Sequence, residues 1–263
     1  MRSEERKLYI LKVAKENGFV SIPKTAQFLG ISIESIRRDI SDLCKKNQLK
    51  KVYGGAIPIK DTIWRSSAGM RNALQNQQSR IAIAKEAANM IRDDQVVCLD
   101  CFELTGLIAE HVKNVYNVTF VVNSLKVAVT LCDKINAGDI SGTVIMVGGQ
   151  LVTNSYRCYT LSSLDIIERY YYDLAFISPM AMSASGVSCT STNPGLYIQH
   201  IMGRATSSVL VVESYKLGKH SVMDFAKPTD FDRIITDDSN PVPADLLKVL
   251  QDSNTQLTVI ASQ

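Results

Sequence analysis

Three features of the sequence predict a two-part α/β chain. Two short segments with helical apolar spacing, each opened by a serine, meet at Gly30, and a basic stretch ending in Gly54-Gly55 follows them. Beyond residue 80, short apolar runs alternate with helix-like segments, the pattern of a mostly parallel sheet. Charge divides the same way: residues 1–60 hold 13 Lys/Arg against 6 Asp/Glu, and the remainder hold 16 against 20. A basic head on a mildly acidic body suits a nucleic-acid-binding module carried by a domain that does not touch nucleic acid.

The head is taken as residues 1–57. Glu4 to Asn17 predicts a first helix, with Ile10, Leu11, Val13 and Ala14 as its apolar stripe and Gly18 as its stop. Ser21 N-caps a second helix that tolerates Pro23 in its first turn, and Gly30 ends it. Ser32 caps a third helix whose buried face is Ile36, Ile40 and Leu43. Ser35, Arg37 and Arg38 fall off that face. Leu49 to Val52 and the Tyr53-Gly54-Gly55 turn predict a short β-wing. This is the pattern of a winged helix-turn-helix, which sets a helix in the DNA major groove and a basic hairpin on the phosphates.

Residues 58–79 read as a linker. The body, 80–263, carries apolar runs at Val96–Asp100, Phe120–Asn123, Val144–Val147, Leu174–Ser178, Val209–Glu213, Arg233–Thr236 and Leu257–Ile260, the strands of a Rossmann-like α/β domain. The six cysteines are scattered, the first residues are polar and charged, and no apolar run approaches a membrane span. A cytoplasmic chain with free thiols and no membrane contact is expected. Cys98 and Cys101 have C-x-x-C spacing, but no second Cys/His pair lies nearby, so neither metal nor cofactor is expected.

Both parts together resemble the DeoR family of bacterial sugar-metabolism regulators. The family's S-x-x-T-[IV]-R-R-D-[LI] helix stands here as Ser32 to Ile40, and its wing as Tyr53-Gly54-Gly55-Ala56. Landmarks in the body are Asp100, Asn123-Ser124, Gly148-Gly149, Lys216-Leu217-Gly218 and Ile235 to Asp238. The resemblance implies a sugar-phosphate-isomerase-like sensor domain that binds a small metabolite. The DNA-contacting residues are then Ser32, Ser35, Arg37, Arg38, Lys50, Lys51, Tyr53, Gly54 and Gly55. The effector site is Asp100, Cys101, Phe102, Glu103, Thr105, Asn123, Ser124, Gly148, Gly149 and Lys216.

The sequence departs from the family at the phosphate loop. The usual D-[SC]-G-[ST]-T-T reads Asp100-Cys101-Phe102-Glu103-Leu104-Thr105. Phe102 replaces the glycine that lets backbone amides approach a phosphate, and Glu103 brings negative charge to a helix N-terminus. A later G-x-D-G loop reads Ser178-Pro179-Met180-Ala181, and 193–200 also differs. These changes predict weak or no binding of simple sugar phosphates.

The expectation is thus a repressor of a carbohydrate operon, with operator DNA and a small effector as partners. The effector is neutral, cationic or absent. The chain is expected to form a homodimer or larger homo-oligomer, with no catalytic residues. A ligand-independent DNA-binding oligomer and an isomerase-like enzyme are the alternatives.

Overall fold

The computed structural model describes residues 3–17, 20–46, 48–52, 54–58, 77–100, 103–152, 156–158 and 161–261. The chain forms two compact units, 1–75 and 76–263.

In the first unit, α1 (Ser3–Asn17) is followed by β1 (Val20–Ser21), α2 (Ile22–Leu29), α3 (Ile33–Lys45), β2 (Leu49–Val52) and β3 (Gly55–Pro58). The serines act as the sequence predicts. Ser21 accepts a hydrogen bond from Lys24 N at 3.5 Å, and Ser32 accepts one from Ser35 N at 3.2 Å. Gly30 closes α2 in the left-handed region at φ 62°, and the Ile31 amide turns back to Ala26 O at 3.0 Å. That reversal is cheap only for a residue without Cβ. Ile10, Ala14, Ala26, Ile36, Ile40, Leu43 and Leu49 meet in one core. The strands form an antiparallel sheet in the order β1-β3-β2. Gly18, the expected stop of α1, lies outside the described residues.

The second unit opens with α4 (Gln77–Ala88), which takes in the last three residues of the expected linker. It continues through β4 (Val96–Leu99), α5 (Glu103–His111), β5 (Val118–Val122), α6 (Leu125–Ala137), β6 (Gly142–Met146), β7 (Leu151–Val152), β8 (Arg157–Cys158), α7 (Leu161–Ile167) and β9 (Tyr172–Ile177). Then come β10 (Ala181–Met182), β11 (Val187–Cys189), α8 (Thr192–Met202), β12 (Ala205–Val211), β13 (Met223–Ala226), β14 (Arg233–Asp237), α9 (Ala244–Gln251) and β15 (Gln256–Ile260).

All seven predicted strands lie in one parallel sheet, ordered β15-β14-β12-β9-β4-β5-β6. Strand alternation splits the core. Val97, Leu99, Phe120 and Val122 pack with α4, α5 and α6. Cys98, Val121 and Ala175 turn to the other face, beside Tyr172, Tyr197 and Ile201. Gly142 is fixed by crowding: at φ 150°, a Cβ there would lie 1.9 Å from Val118 O.

The sheet order reverses direction between β4 and β9, the doubly wound switch point beside which α/β sheets bind ligands. The sequence reading missed a small antiparallel sheet, β10-β11-β13, because its strands are only two to four residues long. No helix among the described residues is long and apolar enough to cross a membrane.

Candidate functional site

The first surface is built on α3. Its apolar face anchors it, leaving Ser32, Arg37 and Arg38 exposed and Ser35 half-buried. The Ser32 and Ser35 hydroxyls lie 2.9 Å apart, so capping and exposure coexist at the helix start. Arg37 makes one loose ion pair, 3.5 Å to Glu34, with both side chains about three-fifths solvent-exposed (59% and 62%). Such a pair contributes little and yields readily to a phosphate or base.

Asp39, between these arginines and the core, plays another part. It is buried and accepts hydrogen bonds from Arg6 Nε at 2.7 Å and Ser3 Oγ at 3.1 Å, clasping α3 to α1. Lys7 and Asp42 add a second bridge at 3.0 Å. The clasp was not read from the sequence, because its partners lie more than 30 residues apart and no local period joins them.

The wing hairpin pairs Lys50 with Ile57, Lys51 with Ala56 and Val52 with Gly55. Gly54, at φ 75°, makes its turn and is exposed; Lys51 is exposed as well. Gly55 is buried and pairs with both Ser21 and Val52, so it builds the wing instead of presenting a surface. The Gly54 carbonyl accepts the Ile22 amide at 3.0 Å, tying the wing tip to the start of α2. Tyr53 and the side chain of Lys50 lie outside the described residues.

The second site lies at the carboxyl ends of the central strands. Asp100 follows β4, Asn123 follows β5 and Ser178 follows β9, and each is at most 1% exposed. Both polar atoms of the Asn123 amide and the Ser178 hydroxyl lack a hydrogen-bond partner among the described residues. A buried polar group left so costs about 1–3 kcal/mol. Three such atoms on the ends of two strands that flank β4 are therefore an unusual concentration.

Thr105, in α5, returns its hydroxyl to the Asp100 carbonyl and holds the β4–α5 corner. Glu103 is the first residue of α5, at the end predicted to repel phosphate. Cys101 and Phe102 lie outside the described residues. Ser124 N-caps α6 without a side-chain cap bond. Gly148 and Gly149 are exposed beyond the edge strand β6, and Cys158 bridges towards them, its amide donating to Asn123 O at 2.8 Å and its thiol lying 3.9 Å from Gly149 O.

Lys216 is buried. Its ammonium lies 2.6 Å from Glu213 and donates to Pro179 O at 3.2 Å, beside Ser178. The second oxygen of Glu213 meets Arg80 of α4 at 3.4 Å. Next to it, Asp237 accepts from Ser214 N at 2.7 Å, Ser214 Oγ at 2.7 Å and Ser239 N at 3.0 Å. Ser239 in turn meets Ser79 Oγ at 3.1 Å. Arg80 and Glu213 were missed by the sequence reading, and Ser178 was read only as part of an altered loop. Burial of a polar residue at a strand end was the signal, and it becomes visible only once the strands are ordered.

Burial pushes the Asp237 carboxyl up, but its hydrogen-bond donors outweigh that effect and hold it below the ordinary value of 3.8. A carboxylate depressed on folding contributes stability above the unfolded value and loses it as pH falls through the folded one. Acid titration of the folded chain should therefore show stability falling below about pH 4. Asp237→Asn should flatten that loss in urea melts at successive pH values. An unchanged slope would contradict the assignment.

Burial, and then the charge of Asp100, hold the Cys98 thiol well above its usual range, so it is a poor thiolate. Among the described residues, no group of three or more His, Cys, Asp or Glu is placed to hold a metal ion.

Comparison with known proteins matches both units of the chain to family models. The DeoR-like helix-turn-helix domain matches residues 6–62, and the DeoR C-terminal sensor domain matches residues 75–238. The HTH-type transcriptional regulator GolR of Listeria innocua is 27% identical, over 97% of this chain and 98% of its own. The HTH-type transcriptional repressor GlcR of Bacillus subtilis is 26% identical, over 90% of this chain and 89% of its own. Among solved structures, ribose 5-phosphate isomerase A of Methanocaldococcus jannaschii covers 54% of this chain and 55% of its own. Its TM-score is 0.37 and its identity 14%, too slight a likeness to bear on activity.

Proposed function

We propose, from the premise that this chain belongs to the DeoR family of helix-turn-helix transcription regulators, that it is a cytoplasmic repressor of a carbohydrate operon. Its second unit is the effector-sensing and oligomerisation part. The observation that carries the DNA reading is the exposed Arg37–Arg38 pair on a serine-capped helix whose other face is fully buried. In this reading α3 enters the major groove. Ser32, Ser35, Arg37 and Arg38 meet bases or phosphates, and Lys50, Lys51, Tyr53 and the Gly54 turn lie on the backbone. The buried polar groups at the switch point are the effector site, built from Asp100, Asn123 and Lys216 with Ser178 added. The sensor unit is a binding domain and not an enzyme, in keeping with relatives named as transcriptional regulators.

One winged helix covers a short half-site, so a specific operator calls for two heads. Selection from a random duplex pool with the full chain should enrich two related half-sites. Light scattering at micromolar concentration should give a dimer or larger species. A strict monomer, or a pool without enrichment, contradicts the proposal.

A further inference from the structure

Resting on the effector reading of the strand-end site, we infer that its ligand is uncharged and rich in hydroxyl groups: a polyol or an unphosphorylated sugar. Two independent observations point there, one of hydrogen bonding and one of charge.

Asn123 and Ser178 stand at the carboxyl ends of β5 and β9, with Asp100 at the end of β4 between them. The Asn123 amide presents both an acceptor oxygen and a donor nitrogen without partners among the described residues, and Ser178 presents a hydroxyl. Asp100 is an acceptor when ionised. Such a set needs donors as well as acceptors from its ligand. Alcohol hydroxyls supply both from one oxygen. A phosphate dianion is acceptor-only: it answers the amide nitrogen and the serine but sets oxygen against oxygen at Asn123 Oδ1. Ends of β5 and β9 are two strand spacings apart, about 10 Å. A chain of five or six hydroxylated carbons can address that span from within it.

The disposition of charge agrees. Asp100, Glu213 and Asp237 are buried carboxylates, and Lys216 and Arg80 are already engaged with Glu213. Lys216, the cation closest to Ser178 along these contacts, is held 2.6 Å from Glu213 and bonded to Pro179 O. A phosphate would have to draw it away from a carboxylate already in contact.

The test is calorimetry and thermal shift on the full chain. The panel holds pentitols, hexitols, ribose and glucose, with sorbitol 6-phosphate, ribose 5-phosphate and glucose 6-phosphate as charged counterparts. At least one neutral member should bind ten-fold or more tightly than any phosphate ester. Asn123→Ala and Ser178→Ala should each weaken it about ten-fold while the ligand-free melting temperature holds or rises, since each removes a buried unpaired group. A phosphate ester that binds more tightly than its neutral counterpart overturns the ligand class and leaves the effector reading standing. Neutral binding unaffected by both substitutions overturns the site. No binding by any member overturns the effector reading together with this inference.

Discussion

Replacing Arg37 and Arg38 together by alanine should cost the protein its operator. Both side chains are exposed on α3, and the only ion pair found for Arg37 among the described residues is the 3.5 Å contact with Glu34. The substitution therefore leaves the fold almost untouched while removing two guanidinium groups from the recognition face. A base contact is worth about 1–3 kcal/mol. Losing two of them corresponds to roughly 30-fold to 10⁴-fold weaker binding, at about 1.4 kcal/mol per factor of ten. Lys51→Ala should act differently. Taking one phosphate-neutralising charge off the wing lowers affinity on every sequence and flattens the salt dependence by about one unit of slope. Anisotropy titrations on selected operator and scrambled duplex, at several salt concentrations, separate the two effects. Unchanged operator affinity in the double alanine variant would remove α3 from the groove.

Asp39→Ala should be as damaging without touching DNA. The carboxylate is 5% exposed and joins Arg6, itself 15% exposed, at 2.7 Å. Removing one partner of a fully buried pair costs about 3–5 kcal/mol, and the residual exposure of Arg6 lowers the figure here to about 2–4 kcal/mol. A head of some 55 residues has only about 5 kcal/mol to lose. Hydrogen exchange of α1 and α3 amides, read by mass spectrometry, should accelerate about 30-fold to 10³-fold while the β4–β9 amides keep their protection. Equal protection in the variant and the parent would show that the clasp is dispensable.

The two units differ in how much of them was written locally. In the head, Ser21, Gly30 and Ser32 punctuate helices by short-range hydrogen bonds, so sequence spacing sufficed to place α2 and α3. The inner strands were legible for a similar reason: β4, β5 and β9 are largely buried and read as apolar-rich runs. What escaped was long-range. The Arg6–Asp39 clasp, the Arg80–Glu213–Lys216 chain and the position of Ser178 beside β4 all depend on which strands or helices become neighbours. The strands β10, β11 and β13 escaped because two to four residues carry no measurable alternation. Of the expected effector residues, Asp100, Asn123 and Lys216 are buried near the switch point. Gly148 and Gly149 were placed with them by motif alone, and they follow the edge strand β6.

Glu213 serves two cations at once, and this makes it a point of competition. Any ligand oxygen that takes a hydrogen bond from Lys216 bids for the same ammonium that Glu213 holds at 2.6 Å. A carboxylate relieved of Lys216 leans more fully on Arg80, and Arg80 lies in the opening turns of α4. That helix is the first described element after the wing along the chain. In the proposed effector reading, occupancy of the strand ends would be linked to how firmly the start of α4 is moored.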